Sequence, residues 1–301
     1  MFCILLQGKL RRSTTKRMTL VKKLYGALIV QATKSNPNGD PDNDGSPRVD
    51  VNDRGVISPV SVKRRVRDLV ARRSEGWHFV ASDLHISEAE TEESFQIYVL
   101  KSRTFKEVLE QTRDMNAFHR RYWDARVFGN TLLESNVGQR VNRERIRTGV
   151  IALGSGQSLA PVEVETQTWT RVTGLREGRE SGFANECHRY VEHAIYVQPF
   201  SVNPEKAHET GVSSRDVEVF VRLLPHVFDA RSVASAGVEV LQVWTLEFEG
   251  RSTLPMQLFL EAVTPKVKVE SPKAFKDYEL RFQIEPHPFK GATLKEWCGS
   301  C

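Results

Sequence analysis

The first residues whose types and spacing suggest chemistry lie in a polar segment, residues 36–45, rich in asparagine, aspartate, glycine and proline. Its three aspartates at alternate positions, Asp40, Asp42 and Asp44, look like the opening of a calcium-binding loop. The twelfth loop position, where such loops carry a bidentate glutamate, is Val51. A plain polar turn is therefore an alternative interpretation to a calcium-binding loop. A third interpretation is a loop whose amides and side chains approach a phosphate or sugar, with candidates Asn36, Asn38 and Gly39.

A basic cluster follows in residues 58–73, which we predict to be a helix capped by Ser58. Four apolar residues recur at helical spacing, and six cations share the segment with one acid, Asp68. A solvated helix surface usually mixes both signs of charge, so this excess indicates phosphate contacts. The RNA-binding candidates are on the face opposite the apolar residues: Lys63, Arg64 and Arg67. A solvated or acid-paired face is the alternative.

Two further segments give weaker signals. Arg126, at the end of a predicted helix, is interpreted either as a phosphate contact or as a structural partner of Asp124. Residues 154–158 form a glycine- and serine-rich segment that we predict to be a loop following a nucleic-acid backbone, with candidates Gly156, Gln157 and Ser158.

Catalytic signatures are missing from the sequence: it has no G-x-S-x-G, Walker, H-E-x-x-H or G-x-G-x-x-G motif. His188 and His193 are five residues apart near a predicted strand, so their side chains are expected on opposite faces. We therefore predict no catalytic residue, no metal and no cofactor.

Composition narrows the class of protein. Lys and Arg total 43 against 38 Asp and Glu, a net charge of +5, and residues 1–17 contain five cations and no acid. The rest of the chain is neutral, so only local clusters argue for nucleic acid. We expect residues 1–17 to be a disordered basic leader. The four cysteines, the absence of an export signal and the short apolar runs favour a cytoplasmic protein with no membrane partner.

The elements that position these residues predict an α+β fold. Apolar strands are expected at 24–33, 94–102, 190–200 and 238–248, and helices at 58–73, 104–127 and 213–228. The order predicts a ferredoxin-like or RRM-like βαββαβ core with large insertions. We expect a single domain over 18–301, with an extended insertion at about 148–188.

Several of these motifs together resemble the backbone subunit of type I CRISPR surveillance complexes, the Cas-seven superfamily, in its Csd-two and Csh-two branch and most like type I-C. The most specific is N-P-N-G-D-P at 36–41, followed by P-R at 47–48 and the basic helix. D-x-R-x-F-G at 124–129 and the segments at 193–196, 228–237 and 275–278 are also similar. The chain departs from the family pattern at 147–151 and 186–189.

The resemblance implies a non-catalytic protein that polymerises along a CRISPR RNA and holds it for pairing with target DNA. The insertion would be the family's thumb, which folds over the guide. The implied partners are CRISPR RNA, target DNA through the guide, other copies of the chain, and the Cas-five, Cas-eight and small subunits.

Two enzymatic alternatives remain open. One is a metal-dependent RNase of the type III backbone kind, with candidates among Asp40, Asp42, Asp44 and Asp50. The other is a metal-independent repeat-processing RNase that uses His188 or His193.

Overall fold

The computed structural model describes residues 20–100, 107–108, 111–112, 114–130, 147–173, 182–229, 236–250, 252–281, 284 and 289–297. The predicted leader therefore lies outside the described residues. Among these residues the α-helices are α1 Pro59–Ala71, α2 Glu75–Asp83, α3 Glu88–Ser94, α4 Met115–Arg121, α5 Trp123–Phe128, α6 Ala207–Thr210, α7 Ser214–Leu223 and α8 Met256–Val263. The strands are β1 Leu24–Ser35, β2 Arg54–Ile57, β3 Gly129–Asn130, β4 Arg147–Thr148, β5 Ile151–Leu153, β6 Gly156–Pro161, β7 Val164–Thr173, β8 Gly182–Val202, β9 Val238–Phe248, β10 Lys266–Val267, β11 Tyr278–Glu279 and β12 Ala292–Trp297.

A large antiparallel sheet organises the fold, which is of the α+β class that the sequence predicts. In the described part of the chain its strand order is β12-β9-β1-β8-β6-β2, and β5 and β7 also pair with β8. Strand β1 lies in the middle and runs antiparallel to both β8 and β9. The central position explains why the sequence of β1 is apolar on both faces.

Each face of the sheet is covered by its own apolar core. Leu28 and Val30 of β1 pack into the cluster that contains the buried residues of α1, α2 and α7. Ala27 and Ile29, which alternate with them, pack into the cluster beneath α8. We call these the α1 face and the α8 face of the sheet.

Two helix starts that the sequence predicted are confirmed. The Ser58 side chain accepts a hydrogen bond from the amide of Ser61, and Pro59 occupies the first helical position of α1. Ser213 and Asp216 form a reciprocal capping box at the start of α7. These hydrogen bonds fix the first turn of each helix.

Part of the segment predicted to be an insertion, residues 148–188, lies in the main sheet. Residues of β5 and β6 pair with β8 inside the main sheet, so this part of the insertion is core. Beyond it, β7 pairs with the first half of β8 from Val164 opposite Val191 to Thr173 opposite Gly182. The two strands form a hairpin, which we call the arm.

Two predictions between α1 and α5 are wrong. The acid-rich residues 88–94 form α3, whose first turn is capped by the side chain of Ser87. The strand expected over 94–102 is not formed within residues 94–100, where pairing is limited to a bridge between Gln96 and Tyr122. Tyr122 also separates α4 from α5, where one helix was expected.

The centre of the sheet supplies a test of the packing. Gly26 of β1 lies directly opposite Phe200 of β8, and a β-carbon at position 26 would overlap the Phe200 ring. Gly26→Ala should lower the free energy of unfolding by about 1–3 kcal/mol, because the buried ring must move. Denaturant unfolding measures this change. Thr293→Ala in β12, at an exposed position, is the control and should change it by less than about 0.5 kcal/mol. Equal stabilities of the Gly26 variant and the wild type would contradict this packing.

Candidate nucleic-acid interface

The basic face of α1 is built on an aromatic ring. The Lys63 ammonium lies 5.3 Å from the centre of the Phe128 ring, and the Arg67 guanidinium lies 5.1 Å from it. Both distances are in the range of cation–π attraction. Phe128 is the last residue of α5, so both cations of α1 contact the same ring of a neighbouring helix.

Arg67 is further held by a buried carboxylate. Its Nε donates to Oδ2 of Asp124 at 2.8 Å, and the exposed fractions of the two side chains are 14% and 0%. Asp124 also accepts hydrogen bonds from the backbone amides of Tyr98 (2.6 Å) and Val99 (3.2 Å). Among the described residues, Nη1 and Nη2 of Arg67 have no protein acceptor. The guanidinium is therefore oriented through Nε, and the two ends that match a phosphate are free to bind one.

Lys63 has no acidic partner among the described residues. Its pKa is lowered from the usual lysine value, mainly by burial of the half-buried side chain and also by the positive charge of Arg67. An anion that bound between Lys63 and Arg67 would offset both effects. We call Lys63, Arg67 and the Phe128 ring the cationic site.

The other cations of α1 have different environments. Arg64, predicted with Lys63 and Arg67, has a side chain that is 62% exposed and lies 3.9 Å from Asp68, one helical turn away. Such an exposed pair contributes little to stability, so Arg64 is available to a ligand beside the cationic site. Arg65 instead packs on the Phe228 ring at 4.4 Å, and burial lowers its pKa.

The asparagine-rich loop is fastened to the start of α1. Oδ1 of Asn38 accepts a hydrogen bond from the Ser58 amide at 2.7 Å, next to the helix start. Asn36 is buried and donates to the carbonyl of Gly45 at 2.7 Å, which closes the loop. Gly39 is exposed, and a β-carbon there would lie 2.8 Å from the Gly45 carbonyl oxygen. Thus Asn36 and Asn38 shape the loop, and the exposed backbone at Gly39 is the part that a ligand can approach.

The arm also contacts this loop. Nη1 of Arg189 donates to the Asp44 carbonyl at 2.9 Å, and Nη2 lies 3.6 Å from the Asp44 carboxylate. Asn36 donates a longer bond, 3.5 Å, to the Arg189 carbonyl. The loop is therefore the common anchor of α1 and of the arm. Nothing in the spacing of Arg189 and Asp44, 145 residues apart, pointed to this contact.

Arg126 lies apart from this surface, in the interior. Its side chain is 6% exposed and pairs at 2.7 Å with Asp216, which forms the capping box of α7 with Ser213. The same guanidinium donates to the carbonyls of His119, Arg120 and Ser94. The structure thus favours the structural alternative that the sequence left open for this arginine, although its partner is Asp216 rather than Asp124.

The predicted Gly-Ser loop is a strand. Gly156, Gln157 and Ser158 belong to β6, where they pair with β2 and β8. The Ser158 hydroxyl accepts a bond from the Gly55 amide at 2.9 Å and is buried. Gly156 is buried as well, so of the three only Gln157 presents an exposed side chain.

The aspartates of the loop do not gather into a metal site. Asp40 pairs with Arg48 at 3.0 Å, and Oδ1 of Asp50 accepts bonds from the amides of Asn52 and Arg54. In the part of the chain that the structure describes, no group of three or more His, Cys, Asp or Glu side chains could hold a metal ion. His193 is buried against Tyr278, and His188 stacks on Tyr190 in the arm. No helix of the described residues has the length and apolar character for a membrane span.

The chain is similar to one protein-family model and to chains in solved structures. A family model, CRISPR-associated protein Cas7, matches residues 22–283. No curated protein sequence matches the chain. Two similar solved chains are described as "CRISPR RNA-guided surveillance complex, pre-nicking" and "CRISPR RNA-guided surveillance complex". The first is 14% identical, with 77% of this chain and 80% of that chain covered and a TM-score of 0.49. The second is 16% identical, with 77% and 72% covered and a TM-score of 0.44. The assignment to a family rests on the family model alone.

The buried position of Arg126 generates a prediction. Arg126→Met should lower the free energy of unfolding by about 3–5 kcal/mol, because Asp216 would stay buried without its partner. Arg64→Gln, on the surface of α1, is the control and should change stability by less than about 0.5 kcal/mol. Urea unfolding of both variants measures the difference. A stable Arg126→Met protein that has lost RNA binding would show that this arginine contacts RNA.

Proposed function

The chain belongs to the CRISPR-associated protein Cas7 family, and from this we propose that it is a non-catalytic, RNA-binding backbone subunit of a CRISPR surveillance complex. The observation that carries the proposal is the cationic site. Lys63 and Arg67 lie together on Phe128, and Asp124 orients one of them without occupying its phosphate-binding ends.

The ligand that fits the cationic site is a phosphate of an RNA backbone. A guanidinium held through Nε presents a planar pair of donors, which match two phosphate oxygens. Lys63 adds a point charge and the exposed Arg64 a second guanidinium, so successive phosphates can be bound along α1. Contacts of this kind position a strand without reading its bases, which leaves the bases free for pairing.

We further propose that the core is RRM-like. The strands β1, β6, β8 and β9 have the spatial order β9-β1-β8-β6, and α1 and α7 follow β1 and β8 in the chain. This is the connectivity expected of a βαββαβ core. On this view β2 and β12 are additions at the two edges, and the arm is the thumb that folds over the guide.

The proposed partners follow from the family. The protein would bind CRISPR RNA, meet target DNA through the guide, and contact other copies of itself and the Cas-five, Cas-eight and small subunits. In its most specific form, the proposal is that the chain belongs to a type I-C complex in the cytoplasm. It requires no cofactor of the chain's own.

The absence of catalysis stays a prediction. Assembled complex incubated with matched target RNA and magnesium should leave the RNA intact, because Asp40 and Asp50 bind other residues of the chain. Denaturing gels measure the RNA length. Cleavage that disappears in an Asp40→Asn or Asp50→Asn variant would establish the RNase alternative.

RNA binding itself is tested by charge removal. Lys63→Gln with Arg64→Gln should leave the fold intact, because neither side chain makes a buried ion pair. Each lost phosphate contact should lower the slope of log affinity against log salt by about 0.7 for single-stranded RNA. Gel shifts with two unrelated guide sequences should give the same loss. Lys276→Gln with Lys290→Gln, exposed residues elsewhere, is the charge-matched control. Unchanged affinity in the α1 variant would overturn the proposal.

The lowered pKa of Lys63 predicts a pH dependence. Since its folded-state pKa lies below that of an ordinary lysine, Lys63 loses its charge at lower pH, and RNA affinity should fall over that alkaline range. Lys63→Arg should remove the decline, because arginine keeps its charge. Fluorescence anisotropy across this range measures the effect. Identical pH profiles of the two proteins would show that Lys63 does not contact phosphate.

A further inference from the structure

A second groove lies on the α8 face of the sheet, away from the cationic site. It has a volume of about 450 Å³ and lies between α8, the strands β6 and β8, and residues 264–266. Its apolar wall is formed by Leu159, Val197 and Leu260, which all pack against the core cluster of that face. Since the buried residues of α1 pack on the opposite face, the groove and the cationic site are separate surfaces.

The groove has an excess of positive charge. Three cations line it, Arg54, Lys266 and Arg281, and the acid among its lining residues is Glu261. Within the described residues none of the three cations has a salt-bridge partner. In a chain that is neutral outside its first residues, such a local excess indicates an anionic ligand.

Two of the cations have hydrogen-bonding environments that favour a ligand. Nη1 of Arg54 donates to the carbonyls of Ser158 (3.0 Å) and Leu159 (3.1 Å), which fixes the guanidinium at the edge of β6. Nε of Arg281 is buried and has no hydrogen-bond partner among the described residues. A buried donor without a partner is costly, and an acceptor oxygen of a ligand would satisfy it.

We propose that this groove is a second site for single-stranded nucleic acid. Phosphate oxygens would bind Arg54, Lys266 and Arg281, and a base would lie against the apolar wall. The exposed side-chain amides of Gln157 and Gln257 would form hydrogen bonds with polar atoms of the base or sugar. A nucleotide combines an anion with a flat apolar face, which is the combination that these walls offer; a glutamate-rich peptide supplies only the anion.

The position of β2 connects the two sites. Arg54 begins this strand, and Ile57 ends it immediately before the Ser58 cap of α1. Four residues of strand span only about 10 Å. Because β2 is at the end of the strand order, a nucleic-acid strand can pass around this edge from one face to the other. The inference rests on the proposed function only for the identity of the strand that reaches the groove.

Photo-cross-linking tests both sites at once. The full chain is irradiated with a short oligouridylate that contains thiouridine, and the cross-linked peptides are identified by mass spectrometry. We expect adducts in residues 155–159 or 257–266 in addition to residues 58–73. Adducts on 58–73 alone would overturn the groove and leave the proposed function intact. Adducts in the groove alone would support the inference and contradict the role of α1, and no adducts would contradict both.

Substitutions and a competitor sharpen the result. Lys266→Gln with Arg281→Gln should weaken oligouridylate binding by about tenfold and lower the salt slope by about 1.4, that is, 0.7 for each contact. Lys266→Gln alone, at an exposed position, should keep the fold and lower the slope by about half as much. Lys276→Gln with Lys290→Gln is the control. Poly-glutamate that displaces the groove adducts better than unlabelled oligouridylate would overturn nucleic acid as the ligand, as would unchanged binding of both groove variants.

Discussion

The arrangement of the proposed RNA-binding surface depends on one buried ion pair, Arg67–Asp124. Asp124 is fully buried and would be costly to the fold if it had no partners. Its carboxylate accepts hydrogen bonds from the Arg67 guanidinium and from the backbone amides of residues 98 and 99. These bonds connect α1 to α5 and to the segment before α4. The same contacts fix the direction in which the remaining donors of Arg67 point. Stability and the proposed RNA binding therefore depend on the same carboxylate.

The asparagine-rich loop has the corresponding role on the other side of α1. It is closed by its own hydrogen bonds, accepts a hydrogen bond at Asn38 from the amide of Ser58, the cap of α1, and binds the arm through Arg189. The loop, the helix and the arm thus form one continuous surface around the start of α1. These hydrogen bonds make the loop a support for α1 and for the arm, and two of its aspartates, Asp40 and Asp44, pair with Arg48 and Arg189.

Local patterns predicted the parts of the fold that local interactions decide. The apolar run of β1, the Ser58 cap and the strand β9 are formed as expected, because burial on both faces and capping are encoded within a few residues. The basic face of α1 was likewise predicted from spacing. The partners of its cations were not, because Phe128 and Asp124 are brought there by tertiary packing. Long-range pairing also explains the misplaced Gly-Ser segment: residues 156–158 become a strand through β8, about 40 residues later in the chain.

The proposed contact between Lys63 and the RNA backbone is tested most directly by a thermodynamic cycle. The cycle removes one lysine charge and one phosphate charge, separately and together. Guide RNAs are made with a neutral methylphosphonate at single positions, and their affinities for the wild type and for Lys63→Gln are compared. If Lys63 binds the backbone, one position exists at which neutralising the phosphate weakens the wild type and has no further effect on the variant. Losses that add independently at every position would contradict the account, because the lysine would then contact no phosphate of the guide.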